Sequence, residues 1–348
     1  MDTTLDRRTI GRWLAIWAAS LFVLVLVGGG TRLTESGLSI TEWKPVSGVI
    51  PPLTSAAWQA EFDRYKQIPQ YAQMNAGMTL SQFKGIFWWE FIHRFWARFV
   101  GVVFVVPLFW FWIRKRLPRD LIPHLAALGV LMGLQGAMGW YMVASGLTQR
   151  INVSQYRLAA HLSLALVIYL YTVWTADRLL HSNDHIEGTG DGERATGFGS
   201  GTRRMLACLL GLAAVTVVSG AFVAGLRAGH IYNEFPLMGA GLVPAEYAMM
   251  SPAWKNLFEN PAAAQFNHRW LAIATLLAVG AFWFRARPGT EGTMRRRLDL
   301  VFVAAAIQVA LGVTVLLLSV PVAVGVAHQA GALLVLTALT LALREARS

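Results

Sequence analysis

Eight apolar stretches divide this chain, and each is close to the length needed to cross a bilayer. They run roughly over 13–30, 93–113, 121–143, 157–177, 204–226, 265–284, 298–318 and 322–343. A helix needs about 20 apolar residues to cross the hydrocarbon core. In lipid, only helices and closed barrels satisfy every backbone polar group internally. The expected fold is therefore an all-α integral membrane protein with eight transmembrane helices. The composition agrees: 55 % of the 348 residues are hydrophobic and only 14 % are charged, far from a soluble domain.

The net charge of +11 raises the question of nucleic acid, and the placement of that charge answers it. Alternate connecting segments hold Arg7, Arg8 and Arg12, then Arg114, Lys115, Arg116 and Arg119, then Arg203 and Arg204, then Arg295, Arg296 and Arg297, and finally Arg344 and Arg347. The opposite loops are much poorer in Lys and Arg. This is the positive-inside pattern with both termini cytoplasmic. The basic excess sets orientation, and no nucleic-acid partner is expected. Arg7-Arg8 before an apolar run resembles a secretion signal, but no small-x-small cleavage site precedes Gly28 and the repeat needs this helix. Cys208, the sole cysteine, offers neither a disulfide nor a Cys-based metal site.

The chain also repeats itself. His93-Arg94 and His268-Arg269 each open an apolar stretch, and two stretches later His161 and His328 do the same. Aligning Gly28 with Gly220 pairs Gly37 with Gly229, Glu42 with Glu234 and Trp43 with Phe235. The segment from Gln135 to Gly139 likewise matches Gln308 to Gly312. Two duplicated four-helix halves are expected, over 1–178 and 203–348, joined by a cytoplasmic linker at 179–202 rich in Gly, Thr, Asp and Glu. The long first outer loop, 31–85, includes amphipathic pieces near Trp58 to Tyr65 and should form short surface helices. Its counterpart is 228–263. Both read as ordered lids over an outward-facing site. Gly129, Gly133, Gly136 and Gly139 are spaced for close helix packing.

The four histidines lie on even-numbered spans near their outer starts, so topology puts them at one depth. A lone histidine in an apolar helix is usually a packed, hydrogen-bonded side chain; four at equivalent positions are better read as ligands. Two imidazoles from facing helices can clamp a flat macrocycle, whereas zinc or copper needs more converging donors. His124, His181, His185 and His230 are assigned no ligand role. Charges at membrane depth cost roughly 2.5–3.5 kcal/mol on insertion scales, less near the interface. Arg94, Arg98, Arg157 and Arg269 nevertheless cluster around the histidines, where their bidentate forks suit heme propionates. Glu90 precedes His93 by three residues and Arg94 by four, so it reads either as an acid beside the ligand or as half of an ion pair. The second half has Gln265 in its place. The first half is thus the better candidate for chemistry.

The segment from Gly29 to Ser39 (GGTRLTESGLS), followed by Glu42-Trp43-Lys44-Pro45, resembles the first outer loop of the heme A synthases. Glu90-Phe91-Ile92-His93-Arg94 and the positions of His161, His268-Arg269 and His328 extend that resemblance over nearly the whole chain. The resemblance implies a bacterial inner-membrane oxidoreductase that converts the C8 methyl group of heme O to a formyl group by successive hydroxylations, yielding heme A for cytochrome oxidase. It implies His268 and His328 as axial ligands of a heme b cofactor, with His93 and His161 as the substrate-heme pair and Glu90 beside them as catalytic residues. It further implies an external electron donor, a heme O synthase (farnesyltransferase) as partner, and contact with membrane lipid. A homo-oligomer is compatible with all of this. The cysteine pair that some members carry in an outer loop is missing, as in the proteobacterial and mitochondrial branch. The competing readings are a membrane di-heme cytochrome b that only transfers electrons, and a transporter built of repeats.

Overall fold

The structure, a computed structural model, describes residues 3–44, 47–149, 153–181 and 199–347. Pro45 of the loop motif and most of the linker, with His185 and Arg194, lie outside the described residues. The helices are α1 (Thr3–Leu33), α2 (Ser55–Tyr65), α3 (Pro69–Met74), α4 (Leu80–Ile113), α5 (Ile122–Gln149), α6 (Gln155–Leu180), α7 (Ser200–Gly225), α8 (Lys255–Phe258), α9 (Pro261–Ala286), α10 (Gly292–Leu317) and α11 (Val322–Glu345). All but α2, α3 and α8 are long and apolar enough to cross a membrane, which gives the eight spans expected from hydropathy.

Local chemistry sets where these helices begin. At the head of α4, Thr79 and Gln82 form a capping box, each side chain bonded to the other's backbone N–H. That start lies well above the apolar stretch, so His93 sits nearly four turns into α4 rather than near its beginning. The apolar pattern marks the membrane part of a helix, not its ends. α9 opens on Asn260, whose side chain accepts from the N–H groups of Ala262 and Ala263, with Pro261 supplying the first helical turn.

The core is built around α1, which packs on α4, α6 and α11. Trp13 and Trp17 bury themselves against Phe104 and Phe111 of α4, in the same core as Ile10 and Leu14. Pro107 has no N–H for the carbonyl of Val103, one turn earlier. The indole of Trp13 donates to that carbonyl instead, at 2.7 Å. A second core of Leu38, Trp58, Phe62, Tyr65, Ile68, Phe83, Phe87 and Phe91 joins the expected surface helix α2 and the loop around Leu38 to the protruding end of α4. The described residues of the first long loop thus form a packed lobe.

Contacts recur between the two copies of the sequence pattern. Glu35 and Arg227, 192 residues apart, follow the ends of α1 and α7, both in the left-handed conformation (φ 55° and 54°). They form an ion pair with each other. Arg32 donates to the carbonyls of Ala224 (2.7 Å) and Gly225 (3.1 Å), capping the end of α7. At the basic end, buried Asp177 on α6 is held by Arg344 (3.2 Å) and Arg297 (3.6 Å) from α11 and α10.

Candidate functional site

Each of the four histidines stands against a glycine on a neighbouring helix. A Cβ added at Gly28 would lie 2.8 Å from Cε1 of His93, and one at Gly139 would lie 3.3 Å from His161. In the second half the distances are 3.0 Å from Gly220 to His268 and 2.9 Å from Gly312 to His328. The same two glycine–histidine pairs therefore occur twice, on α1/α4 and α5/α6, then on α7/α9 and α10/α11. Two of these gaps, at Gly28 and Gly312, are too tight for a Cβ unless something shifts, and the other two are tighter than ordinary contact. Each ring is half-buried, with its edge set on helix backbone.

The imidazoles of His268 and His328 are 6.5 Å apart between ring centres, with their planes at 85°. Two metal–nitrogen bonds of about 2 Å, plus nitrogen to ring centre on each side, come to roughly 6 Å. One metal ion therefore fits between them. Nδ1 of His268 lies 3.1 Å from the carbonyl of Thr216 and 2.9 Å from the hydroxyl of Ser219. A carbonyl only accepts, so Nδ1 carries the proton and Nε2 keeps its lone pair, as a metal ligand requires.

In the first half, His93 on α4 and His161 on α6 each stand on their glycine, in the same arrangement as His268 and His328. The side-chain amide of Gln135 donates to the backbone carbonyl of His161 at 3.1 Å and lies 3.2 Å from its Nε2. The carbonyl fixes which end of the amide faces the ring, so Nε2 of His161 is the acceptor. Nδ1 of His93, His161 and His328 is buried without a hydrogen-bond partner. Each orphaned buried nitrogen costs about 1–3 kcal/mol; what marks the rings as ligands is instead their glycine backing and, at His268, the lone pair on Nε2. Among the described residues, no three His, Cys, Asp or Glu side chains converge. The histidines are arranged in pairs.

Glu90 is 2 % exposed. One carboxylate oxygen accepts from Arg94 at 3.0 and 2.5 Å; the other accepts from Ser39 Oγ and the Ile40 N–H, both at 2.8 Å. The ion-pair reading of the Glu90–Arg94 spacing is the one that the geometry shows. The carboxylate ties α4 to the loop that carries the sequence motif, and all four of its bonds run to that loop or to Arg94.

Arg94 donates to the carbonyls of Ile40 (2.9 Å) and Glu42 (3.3 Å). Arg269 donates to those of Tyr232 (2.8 Å) and Glu234 (2.9 Å). These acceptors correspond one to one in the Gly28–Gly220 alignment. Gln265 takes Glu90's place by donating to Tyr232 at 3.0 Å. Arg98 donates to Lys44 O at 2.8 Å. Arg157 bonds Ser145 and lies 4.7 Å over the Tyr141 ring. All four arginines lie near the histidines along their helices, but the partners they show are the Glu90 carboxylate, loop carbonyls and an α5 hydroxyl. Gln135, Thr216, Ser219, Ser39 and Ile40 escaped the sequence reading as site residues. Gln135, repeated as Gln308, and Ser39, the last residue of the loop motif, carried signals that could have flagged them.

Residues 11–340 match the family model COX15-CtaA, described as cytochrome oxidase assembly protein. The chain belongs to this family. It is 48 % identical to a heme A synthase of Rhodospirillum centenum, over 95 % of this chain and 86 % of that protein. It is 50 % identical to one of Chelativorans sp. strain BNC1, over 93 % and 88 % respectively. A heme A synthase of Sinorhizobium medicae is 48 % identical over 96 % of this chain and 89 % of its own length. With eight spanning helices and bacterial relatives, the protein is a multi-pass protein of a bacterial inner membrane.

Proposed function

We propose that this protein is a heme A synthase, an oxidoreductase that takes heme O and oxidises its C8 methyl group to a formyl group by successive hydroxylations. The family and the relatives support heme A biosynthesis. The geometry adds the paired, glycine-backed histidines in both halves. The observation that carries the reading is the perpendicular His268–His328 pair at 6.5 Å.

In this reading His268 and His328 hold a heme b, and Thr216 and Ser219 keep His268 in its ligating tautomer. Such a heme supplies storage and delivery of single electrons drawn from an external donor. His93 and His161 bind the iron of the substrate heme. Gln135 orients His161 by occupying its Nε2 until iron arrives. Glu90 is the acidic residue beside the substrate pair, where, ion-paired with Arg94, it fixes the 36–44 loop above the ring. Arg94, Arg98, Arg157 and Arg269 lie at the depth of the heme propionates and hold the loops that cover them. In this reading the chain divides at 178 and 203, both termini are cytoplasmic and the histidines lie toward the outer face. Heme O synthase supplies the substrate, and lipid shields its isoprenoid tail from water.

Purified protein given heme O, a reductant and oxygen should yield hydroxylated and formyl porphyrins on extraction. An electron-transferring cytochrome b would load heme and give neither product.

A further inference from the structure

The two halves share their histidine cradles but differ in one seam. In the second half α9 packs on α10, with the Phe302 ring stacked 4.7 Å from Trp283 and a Cβ at Gly280 only 3.5 Å from Phe302. In the first half the corresponding helices, α4 and α5, are joined by a short loop and then diverge. Among the described residues, α4 packs chiefly on α1, and α5 chiefly on α6. Gly101 on α4 and Gly133 and Gly136 on α5 have no atom within 4 Å of where a Cβ would stand. The expectation that this glycine series brings helices together is therefore wrong for Gly133 and Gly136. Only Gly129, 3.6 Å from Phe104, and Gly139, under His161, touch a neighbour.

The repeat shows what these glycines replace. In the register that pairs His93 with His268, Gly101 corresponds to Leu276. In the register that pairs Gln135 with Gln308, Gly129 corresponds to Phe302, Gly133 to Ala306 and Gly136 to Val309. Gly139 alone keeps glycine in both copies, as Gly312, because it backs a histidine. Toward the basic end the same seam widens into an apolar groove of about 280 Å³ lined by Leu108, Trp112, Leu125 and Ala126 among others. Leu108 corresponds to Trp283, so the groove lies where the second half has its stacked rings.

The geometry points to the α4/α5 seam as the lipid-facing port and cradle for the substrate: a porphyrin edge passes between Gly101, Gly133 and Gly136 to reach His93 and His161, and its isoprenoid tail lies in the apolar groove. This rests on the first half being the substrate site. A tailed porphyrin is dissolved in the bilayer, so admission from the side avoids carrying an apolar chain through water. A resident cofactor needs no such opening: the second half carries Leu276, Ala306 and Val309 at the positions of the three glycines, and the stacked rings of Phe302 and Trp283 where the first half has its groove.

The test fills the seam with the second half's residues, Gly101→Leu, Gly133→Ala and Gly136→Val together, and titrates purified protein with heme O in detergent. Heme b content should be unchanged and heme O binding at least tenfold weaker. Binding at the wild-type level, in a preparation where His93→Ala abolishes it, would overturn the port and leave the proposed function standing. Binding untouched by His93→Ala as well would overturn the substrate site and the port with it. Should the triple variant lose heme b through misfolding, the single changes Gly133→Ala and Gly136→Ala decide the matter. Alanine is the better helix former, and its methyl meets no protein atom there. Several-fold weaker heme O binding in the single variants supports the port, and unchanged binding overturns it.

Discussion

The Glu90 carboxylate accepts four hydrogen bonds, and Arg94 opposite it has a side chain only 13 % exposed. Removing one partner of such a pair leaves the other charge buried, at about 3–5 kcal/mol. Glu90→Ala should therefore loosen the 36–44 loop and stop product formation while heme b stays bound. Limited proteolysis and pigment extraction would check both parts, and full turnover would remove Glu90 from the reaction. Gln135→Leu should change the first site alone, altering the affinity for heme O on titration without altering the heme b spectrum. The histidines were legible in the sequence because each occurs twice at a fixed spacing in apolar surroundings. The atoms that hold them were not. Ser219 and Thr216 meet His268 only when α7 packs on α9, a contact between helices that no local pattern encodes. The arginines show the opposite case: charge at membrane depth marked the right region, but their visible partners are Glu90, loop carbonyls and the Ser145 hydroxyl.

At the scale of the elements, the outer lobe has its own aromatic core and should fail separately from the helical bundle. Phe83 is fully buried beneath Phe62 and Tyr65. Phe83→Ala should cost about 3–5 kcal/mol and expose 47–78 to protease, with heme b retained by the second half. In the same lobe, the Lys44 amine at 2.5 Å holds the Glu42 carboxyl below its ordinary value of 4.5. A depressed carboxylate contributes above its unfolded value and loses that contribution as pH falls through the folded one. Proteolytic resistance around Glu42 should thus be flat from neutral pH to the ordinary carboxylate range and drop only below it; because the group is exposed, the drop should be small. Apolar runs located all eight spans but not their ends, since capping by Thr79 and Asn260 depends on polar residues outside those runs. The glycine series was misread because spacing alone cannot tell a packed seam from an open one.

For the whole molecule, sequence duplication reappears as paired contacts: Arg94 and Arg269 on equivalent carbonyls, Glu35 against Arg227, and four histidines on four glycines. With the basic loops at one end, both termini should report as cytoplasmic in reporter fusions, and a periplasmic signal from either would reverse the orientation. The central claim is that the second half keeps a heme b on two imidazoles while the first half handles the substrate. Low-temperature electron paramagnetic resonance of the purified protein and its histidine variants tests this most directly. A low-spin bis-imidazole heme b signal should vanish in His268→Ala and His328→Ala and persist in His93→Ala and His161→Ala. If the signal survives the first two changes or is lost with the second two, the account is wrong.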